Sequence, residues 1–567
     1  MPDFELLQKK PFYLNENQLD WVKSTLLALS VRDKAGQLFC LCLRSGTQEE
    51  IDNIKSVCYP GGVMFRPSDT AQAISAEALL QKNFAIPMLV AANLEKGGNG
   101  VVTEGTLLNS PTGIAATDEV IFAERLGHIC AAEGSAVGAN WAFAPIIDID
   151  YNFRNPITNT RTFGSDHKKV KQFGEAYVRK VQEMGVAASI KHFPGDGRDE
   201  RDQHLVTSIN DLSCEEWDKT YGDIYKACID AGALTVMVGH IMQPAYEKRL
   251  CPDISDDEMM PATLSPTLMQ GLLRGKLGFN GLITTDACTM AGFTIPMPRH
   301  KAVPYCIAAG ADVFLFAKNL REDFGFMMSG IATGIITQQR LDEAVMRILG
   351  LKAALNLHIK KPPLSLEKAQ STIGCALHKQ WAAECADKAI TLVKEQPNVL
   401  PLSPLRYKKL LYCPIEAEQG VAYSVKAGVC DKMKKLLQNQ GFEVDTYIPP
   451  TGMEGMAQEY YDVVGKYDAI IYVANMATKS NQTAVRIEWQ QPMGANCPHF
   501  LQEIPTIFIS VENPYHLLDV PRIKTFINAY SSTDETLNAI IEKLTGKSEF
   551  KGKSPHDAFC GKWDTHL

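Results

Sequence analysis

Long apolar stretches are missing from this sequence. No run approaches the roughly 20 consecutive apolar residues that span a bilayer. The first residues, Met1-Pro2-Asp3-Phe4-Glu5, have neither the basic start nor the apolar centre of a secretory leader. A cytoplasmic protein with no membrane partner is therefore expected. An excess of positive charge is missing too. The 57 Lys and Arg are outnumbered by 65 Asp and Glu, so the net field offers nothing to nucleic acid or an anionic surface. The 15 Cys lack paired spacing. Only Cys40 and Cys42 stand close, and strand alternation would send them to opposite faces. They read as reduced core thiols rather than disulfides. No Gly-x-Gly-x-x-Gly follows the first apolar run, which ranks a doubly wound open sheet second among α/β folds. The Gly-rich residues 97–100 are not followed by Lys-Ser or Lys-Thr, so they make a weak phosphate cradle. Internal repeats and low-complexity segments are also absent.

What is present is an alternation. At 567 residues the chain is long enough for two to four domains. Eight short apolar runs, at 38–43, 62–65, 87–92, 141–149, 187–192, 234–241, 281–286 and 311–317, are separated by helix-length polar-periodic segments. Runs apolar on every residue fit buried parallel strands. Eight strand–helix units are the arithmetic of a (β/α)8 TIM barrel. A helix over 338–355 closes that unit, and His358-Ile359-Lys360-Lys361-Pro362-Pro363 reads as a linker. The expected organisation is a barrel over 1–358, a linker and domain start over 359–400, and a smaller α/β domain over 401–567. Its strands fall at 409–413, 442–447, 469–473, 506–511 and 525–529, and the last twenty residues form a surface tail.

Ionisable or polar residues end six of the eight runs: Asn93 and Glu95, Asp148 and Asp150, Lys191 and His192, His240, Asp286, and Lys318. Core packing asks for none of them there, whereas a barrel enzyme gathers its chemistry at the strands' carboxyl ends. Downstream of Lys191 and His192 comes a charged loop ending in Asp202-Gln203-His204. A carboxylate two residues before a His can hold one ring nitrogen and leave the other to move a proton. Alone, the same triplet reads first as a solvated charged loop with a chance Asp-x-His. Asp286 alone could cap the following helix, and His240 alone could be a satisfied core residue.

The stretch Lys191-His192-Phe193-Pro194-Gly195-Asp196-Gly197 and the Asp202-Gln203-His204 loop beyond it resemble family 3 of the glycoside hydrolases, in its N-acetylglucosaminidase branch. That branch usually carries a second His where Asp196 stands and a Ser where Gln203 stands. Gly281-Leu282-Ile283-Thr284-Thr285-Asp286 resembles the family's nucleophile segment, and Ala389-Ile390-Thr391-Leu392-Val393-Lys394 the start of its C-terminal α/β sandwich. The resemblance implies that Asp286 attacks the anomeric carbon, and that His204, oriented by Asp202, serves as acid and then base. It also implies that Arg161, Lys191 and His192 hold sugar hydroxyls and that His240 lines the site. A His suits the acid/base role for a physical reason. Two neighbouring carboxylates repel, whereas a charged imidazole attracts Asp286 and a neutral one leaves it undisturbed. After the third strand the branch usually reads Asp-Gln-Glu-Gly-Gly-Arg, and this chain has Asn93-Leu94-Glu95-Lys96-Gly97-Gly98-Asn99. A carboxylate gripping the sugar's far edge is thus replaced by Asn93 or displaced to Glu95. The implied activity is release of β-linked N-acetylglucosamine from the ends of small saccharides with retention, without metal or organic cofactor. A β-glucosidase, a phosphorylase and a silent sugar-binding barrel are the rivals.

Overall fold

Strands that are apolar on both faces must be covered on both faces, and closing the sheet on itself does so. The computed structural model describes residues 2–416, 428–450, 453, 459–478, 480–481 and 486–567. It contains a closed eight-stranded barrel. The strands are β1 (Phe39–Leu43), β2 (Gly62–Phe65), β3 (Leu89–Ala92), β4 (Trp141–Ala142), β5 (Ala187–Phe193), β6 (Thr235–Val238), β7 (Leu282–Ala287) and β8 (Val313–Leu315). Each pairs in parallel with its sequence neighbours, and β1 closes against β8. Helices between strands start on polar caps such as Thr47 and Asp69, whose oxygens accept from the third helical N–H.

All eight expected strands exist, with different ends. The run 141–149 keeps only Trp141–Ala142 in the ladder. Pro145 accepts from the Lys191 N–H (3.2 Å) but has none to return, so the ladder lapses. The chain stays alongside β5 nevertheless, and Ile147 N donates to Lys191 O (2.9 Å). The run 234–241 breaks at Gly239, after which Ile241–Met242 pairs with Ser208–Ile209 instead of a barrel neighbour. That small ladder fastens the loop after β5 at its far end.

A second sheet has six strands: β9 (Thr391–Lys394), β10 (Lys409–Glu416), β11 (Glu443–Thr446), β12 (Ala469–Asn475), β13 (Thr506–Ser510) and β14 (Thr525–Asn528). Their order is β9-β14-β13-β12-β10-β11, parallel except for β9 at the edge. Alternation sends Leu410, Tyr412, Ile471, Val473 and Ile509 to a core shared with helices Val429–Asn439 and Asp534–Leu544. Leu411, Cys413, Ile470, Tyr472 and Phe508 go to a second core on the opposite face. The C-terminal tail is held within this unit, where Gly552 N donates to Ile390 O and Lys394 Nζ to Thr565 O.

Grouped by contacts, the chain forms two compact units that interleave in sequence. The barrel unit comprises Met1–Leu108, Ala123–Asn152 and His167–Lys379, and the second unit Asn109–Phe122, Phe153–Asp166 and Gln380–Leu567. The contiguous division at 358 and 400 is coarser than this grouping, because two segments after β3 and β4 go with the second unit.

Candidate active site

Parallel strands bring their carboxyl ends to one rim, and β3, β4, β5 and β7 each deliver an ionisable group there. Lys191, in β5, reaches Glu95 beyond β3, with Nζ 2.7 Å from Oε1 and both side chains largely buried. Asp148, on the extension of β4, is a three-donor acceptor. It takes His192 N at 3.0 Å and Asp196 N at 2.8 Å on Oδ1, and the His192 ring at 2.7 Å on Oδ2. His192 Nδ1 must carry the proton donated to that carboxylate, so Nε2 is the nitrogen turned toward Asp286, 3.9 Å from its Oδ2.

Asp286 ends β7 with 15 % of its side chain still open. Burial opposes its ionisation, yet the imidazoles of His192, His240 and His204 and the Ala287 amide together hold its carboxyl below the usual range. Its Oδ1 accepts from the Ala287 N–H at 2.6 Å. The next helix, Ala291–Thr294, has Met290 at its cap position, so a helix-capping role for Asp286 is excluded.

His204 donates from Nδ1 to Asp202 Oδ1 at 2.7 Å, with Asp202 fully buried and 28 % of the His204 side chain exposed. One ring nitrogen is thereby fixed, and the other remains for proton exchange. Their loop is held on both sides. Ala291 N donates to His204 O (3.0 Å), and Thr207 Oγ1 to Gly292 O (3.2 Å). Gly292 permits that approach, since a Cβ there would stand 2.5 Å from Gln203 O and 2.9 Å from His240 Cβ.

His240 is fully buried, with both ring nitrogens hydrogen-bonded. Its Nε2 lies 3.1 Å from Ala287 O, an acceptor only, so Nε2 carries the proton and Nδ1 accepts from Thr263 Oγ1 at 2.9 Å. Burial pushes its pKa down. It buttresses the backbone beside Asp286 rather than presenting a polar atom of its own.

Asp286, His204, Asp202, Lys191, His192, Glu95 and His240 thus all belong to the barrel unit's carboxyl rim. Asn93 is exposed just beyond β3, while Glu95 joins the cluster through its ion pair. Arg161 lies in the turn Asn159–Arg161, in a segment of the second unit. Among the described residues, no group of three or more His, Cys, Asp or Glu is arranged to hold a metal ion. No helix among them is long and apolar enough to cross a membrane. Two features escaped the sequence reading. Asp148 stood out as a strand-end acid but had no assigned partner. The pairing of Asp196 with Gln203 (Nε2 to Oδ2, 3.1 Å) was hidden, although both residues depart from the family's usual pattern. An ionised, partly open carboxylate beside an Asp-oriented imidazole can attack carbon and move a proton.

Residues 30–351 match the Glycosyl hydrolase family 3 N terminal domain. A beta-N-acetylglucosaminidase/beta-glucosidase of Cellulomonas fimi is 46% identical over 562 residues, 99% of this chain and 100% of that protein. The solved structure of a beta-glucoside phosphorylase, BglX, is 45% identical with a TM-score of 0.93, covering 99% of both chains. A beta-N-acetylglucosaminidase from Paenibacillus sp. shares the fold at 23% identity and a TM-score of 0.79, covering 94% of this chain and 100% of that one. The chain belongs to glycoside hydrolase family 3.

Proposed function

We propose that this enzyme is a retaining exo-acting β-N-acetylglucosaminidase that works on small saccharides by double displacement. The observation that carries the reading is the pairing of an Asp286 carboxyl held ionised by surrounding imidazoles with a partly open His204 ring fixed by Asp202. In the first half, an Asp286 oxygen bonds to the anomeric carbon as the glycosidic C–O bond breaks, and protonated His204 gives its proton to the leaving oxygen. In the second half, neutral His204 takes a proton from water as the water oxygen bonds to the anomeric carbon and the Asp286 ester bond breaks. Lys191, His192 and Arg161 are proposed to hold sugar hydroxyls, and the Asn93–Glu95 turn to meet the sugar's far edge. Buried thiols support a cytoplasmic setting.

A second reading has phosphate in place of water. A neutral imidazole does not repel an incoming anion as a carboxylate base would, and the 45%-identical neighbour is named a phosphorylase. The relative from Cellulomonas fimi also carries a β-glucosidase name, so glucose is the competing sugar.

A 2-fluoro glycoside that forms the intermediate but breaks it down slowly should label Asp286, and early product should keep the β configuration by proton NMR. A label elsewhere, or an α product from water, overturns double displacement at this residue. The ratio of kcat/KM for aryl N-acetylglucosaminide over aryl glucoside decides the sugar. Added phosphate yielding a sugar 1-phosphate in preference to free sugar establishes the second reading.

A further inference from the structure

The loop that carries His204 hangs on a hydrogen-bonded chain inside the barrel rim. Gln203, with none of its surface exposed, sits between Asp202 and His204 and points its side chain the other way, into the protein. Its Nε2 donates to Asp196 Oδ2 at 3.1 Å. Its Oε1 accepts from the His240 N–H at 2.9 Å. Asp196 is equally buried, and its Oδ1 accepts from the Gly197 N–H at 2.7 Å. Its own N–H donates to Asp148 Oδ1, the carboxylate that orients His192. One amide side chain therefore joins the β5 turn, which supports His192, to the backbone after β6, which supports the strand bearing Asp286.

The donor and acceptor assignment is forced. The His240 N–H can only donate, so the Gln203 oxygen must face it, and the amide nitrogen must face Asp196. Asp196 has to accept there. A buried polar pair of this kind is costly to half-satisfy and rigid when complete.

We propose that Asp196 and Gln203 act as a coupled pair of positioning residues that fix His204 for proton transfer before substrate arrives. This rests on the reading of His204 as the acid/base. Asp202 sets the orientation of the ring on its loop, and the Asp196–Gln203 bond sets the position of the loop on the barrel.

The test exploits the pair's polarity with substitutions that conserve shape. Gln203→Glu places two acceptors face to face, and Asp196→Asn places two amide nitrogens face to face. The double variant Gln203→Glu/Asp196→Asn reverses the bond, with the new amide donating to the new carboxylate, whose other oxygen still accepts from His240 N–H. Activity is measured with a dinitrophenyl glycoside, which leaves without a proton, and with a disaccharide, which does not. Each single variant should lose roughly 10- to 100-fold in kcat/KM on the disaccharide, a part of the roughly 100- to 10,000-fold that general acid catalysis supplies. It should lose less than about threefold on the dinitrophenyl glycoside, and the double variant should recover most of the loss. Equal slowing on both substrates, or no recovery in the double variant, overturns the proposal. His204→Ala, run beside them, separates the two ideas. If it lacks the leaving-group signature, the acid/base reading itself fails. If it has the signature and the Gln203 and Asp196 variants do not, only the positioning role fails.

Discussion

The two ends of the barrel use buried charge differently. At the carboxyl ends of the strands, Asp148, Asp202 and Glu95 are each occupied in holding a cation or an imidazole, and the two imidazoles so held, His192 and His204, act on the partly open Asp286 carboxylate. At the amino ends, charge closes on itself. Asp312, fully buried just before β8, is shared by Arg274 and Arg340 and also takes the Ile283 N–H at 3.0 Å. The same arginines donate to the carbonyls of Phe279, Ile307 and Ala311. Lys352, with no exposed surface, donates to Gln37 Oε1 at 2.8 Å, and Gln37 Nε2 donates to Tyr59 O and Pro60 O ahead of β2. Both ends bury ions, but the amino-end arginines are bonded directly to Asp312, whereas Asp286 at the carboxyl end keeps 15 % of its side chain open and stands 3.9 Å from the His192 ring. On that difference, substitutions at one end should change rate and at the other stability.

The largest effect is expected at Asp286. Asp286→Asn keeps the volume and removes the ionised carboxylate proposed as nucleophile, so turnover should fall by several orders of magnitude. Because the surrounding imidazoles and the Ala287 amide outweigh burial and favour the charge there, the melting temperature should fall only slightly. A large fall in stability instead would erase the contrast between the two ends.

Asp312 should behave in the opposite way. Asp312→Asn leaves two buried guanidinium groups facing a neutral amide, and breaking a buried pair from one side costs about 3–5 kcal/mol. Urea unfolding should register that loss while kcat/KM of the folded fraction stays within about twofold. A selective loss of activity with unchanged unfolding would mean that the amino end takes part in chemistry.

The legibility of the sequence follows the same division. The eight strands were readable because burial on both faces writes itself as unbroken apolar runs, and the rim residues because ionisable groups interrupt those runs at one end only. The end of β4 was not readable, since Pro145 is as compatible with an extended apolar run as with a ladder. Segments 109–122 and 153–166 gave no sign of grouping with the second unit, because contacts distant in sequence leave no local period. His240 looked like a site residue for the same reason that Asp286 did. Only its two hydrogen bonds, to Thr263 and Ala287, separate a buttress from a reactive group. The Asp196–Gln203 bond was out of reach because donor and acceptor face each other through the fold.

The smallest effect, and the most specific, concerns Lys352. Burial pushes its pKa from 10.5 down to about 7, with only the nearby Cys40 thiol working the other way. Between those two values the unfolded chain holds a proton on this lysine that the folded chain does not. Stability from this residue is therefore complete above pH 10.5 and is lost as the pH falls toward 7, at roughly 1.4 kcal/mol per unit. Lys352→Met fills similar space, needs no proton and should remove that slope. The difference in unfolding free energy between variant and wild type should shrink by about 2 kcal/mol as the pH is raised from 7.5 to 9. Activity measured at a fixed pH should not move. A difference that stays constant across that range would mean that Lys352 remains charged in the folded protein, with Gln37 and its surroundings sustaining a buried cation. The amino end would then tolerate an unpaired charge that the carboxyl end, with every imidazole backed by an acceptor, is built to avoid.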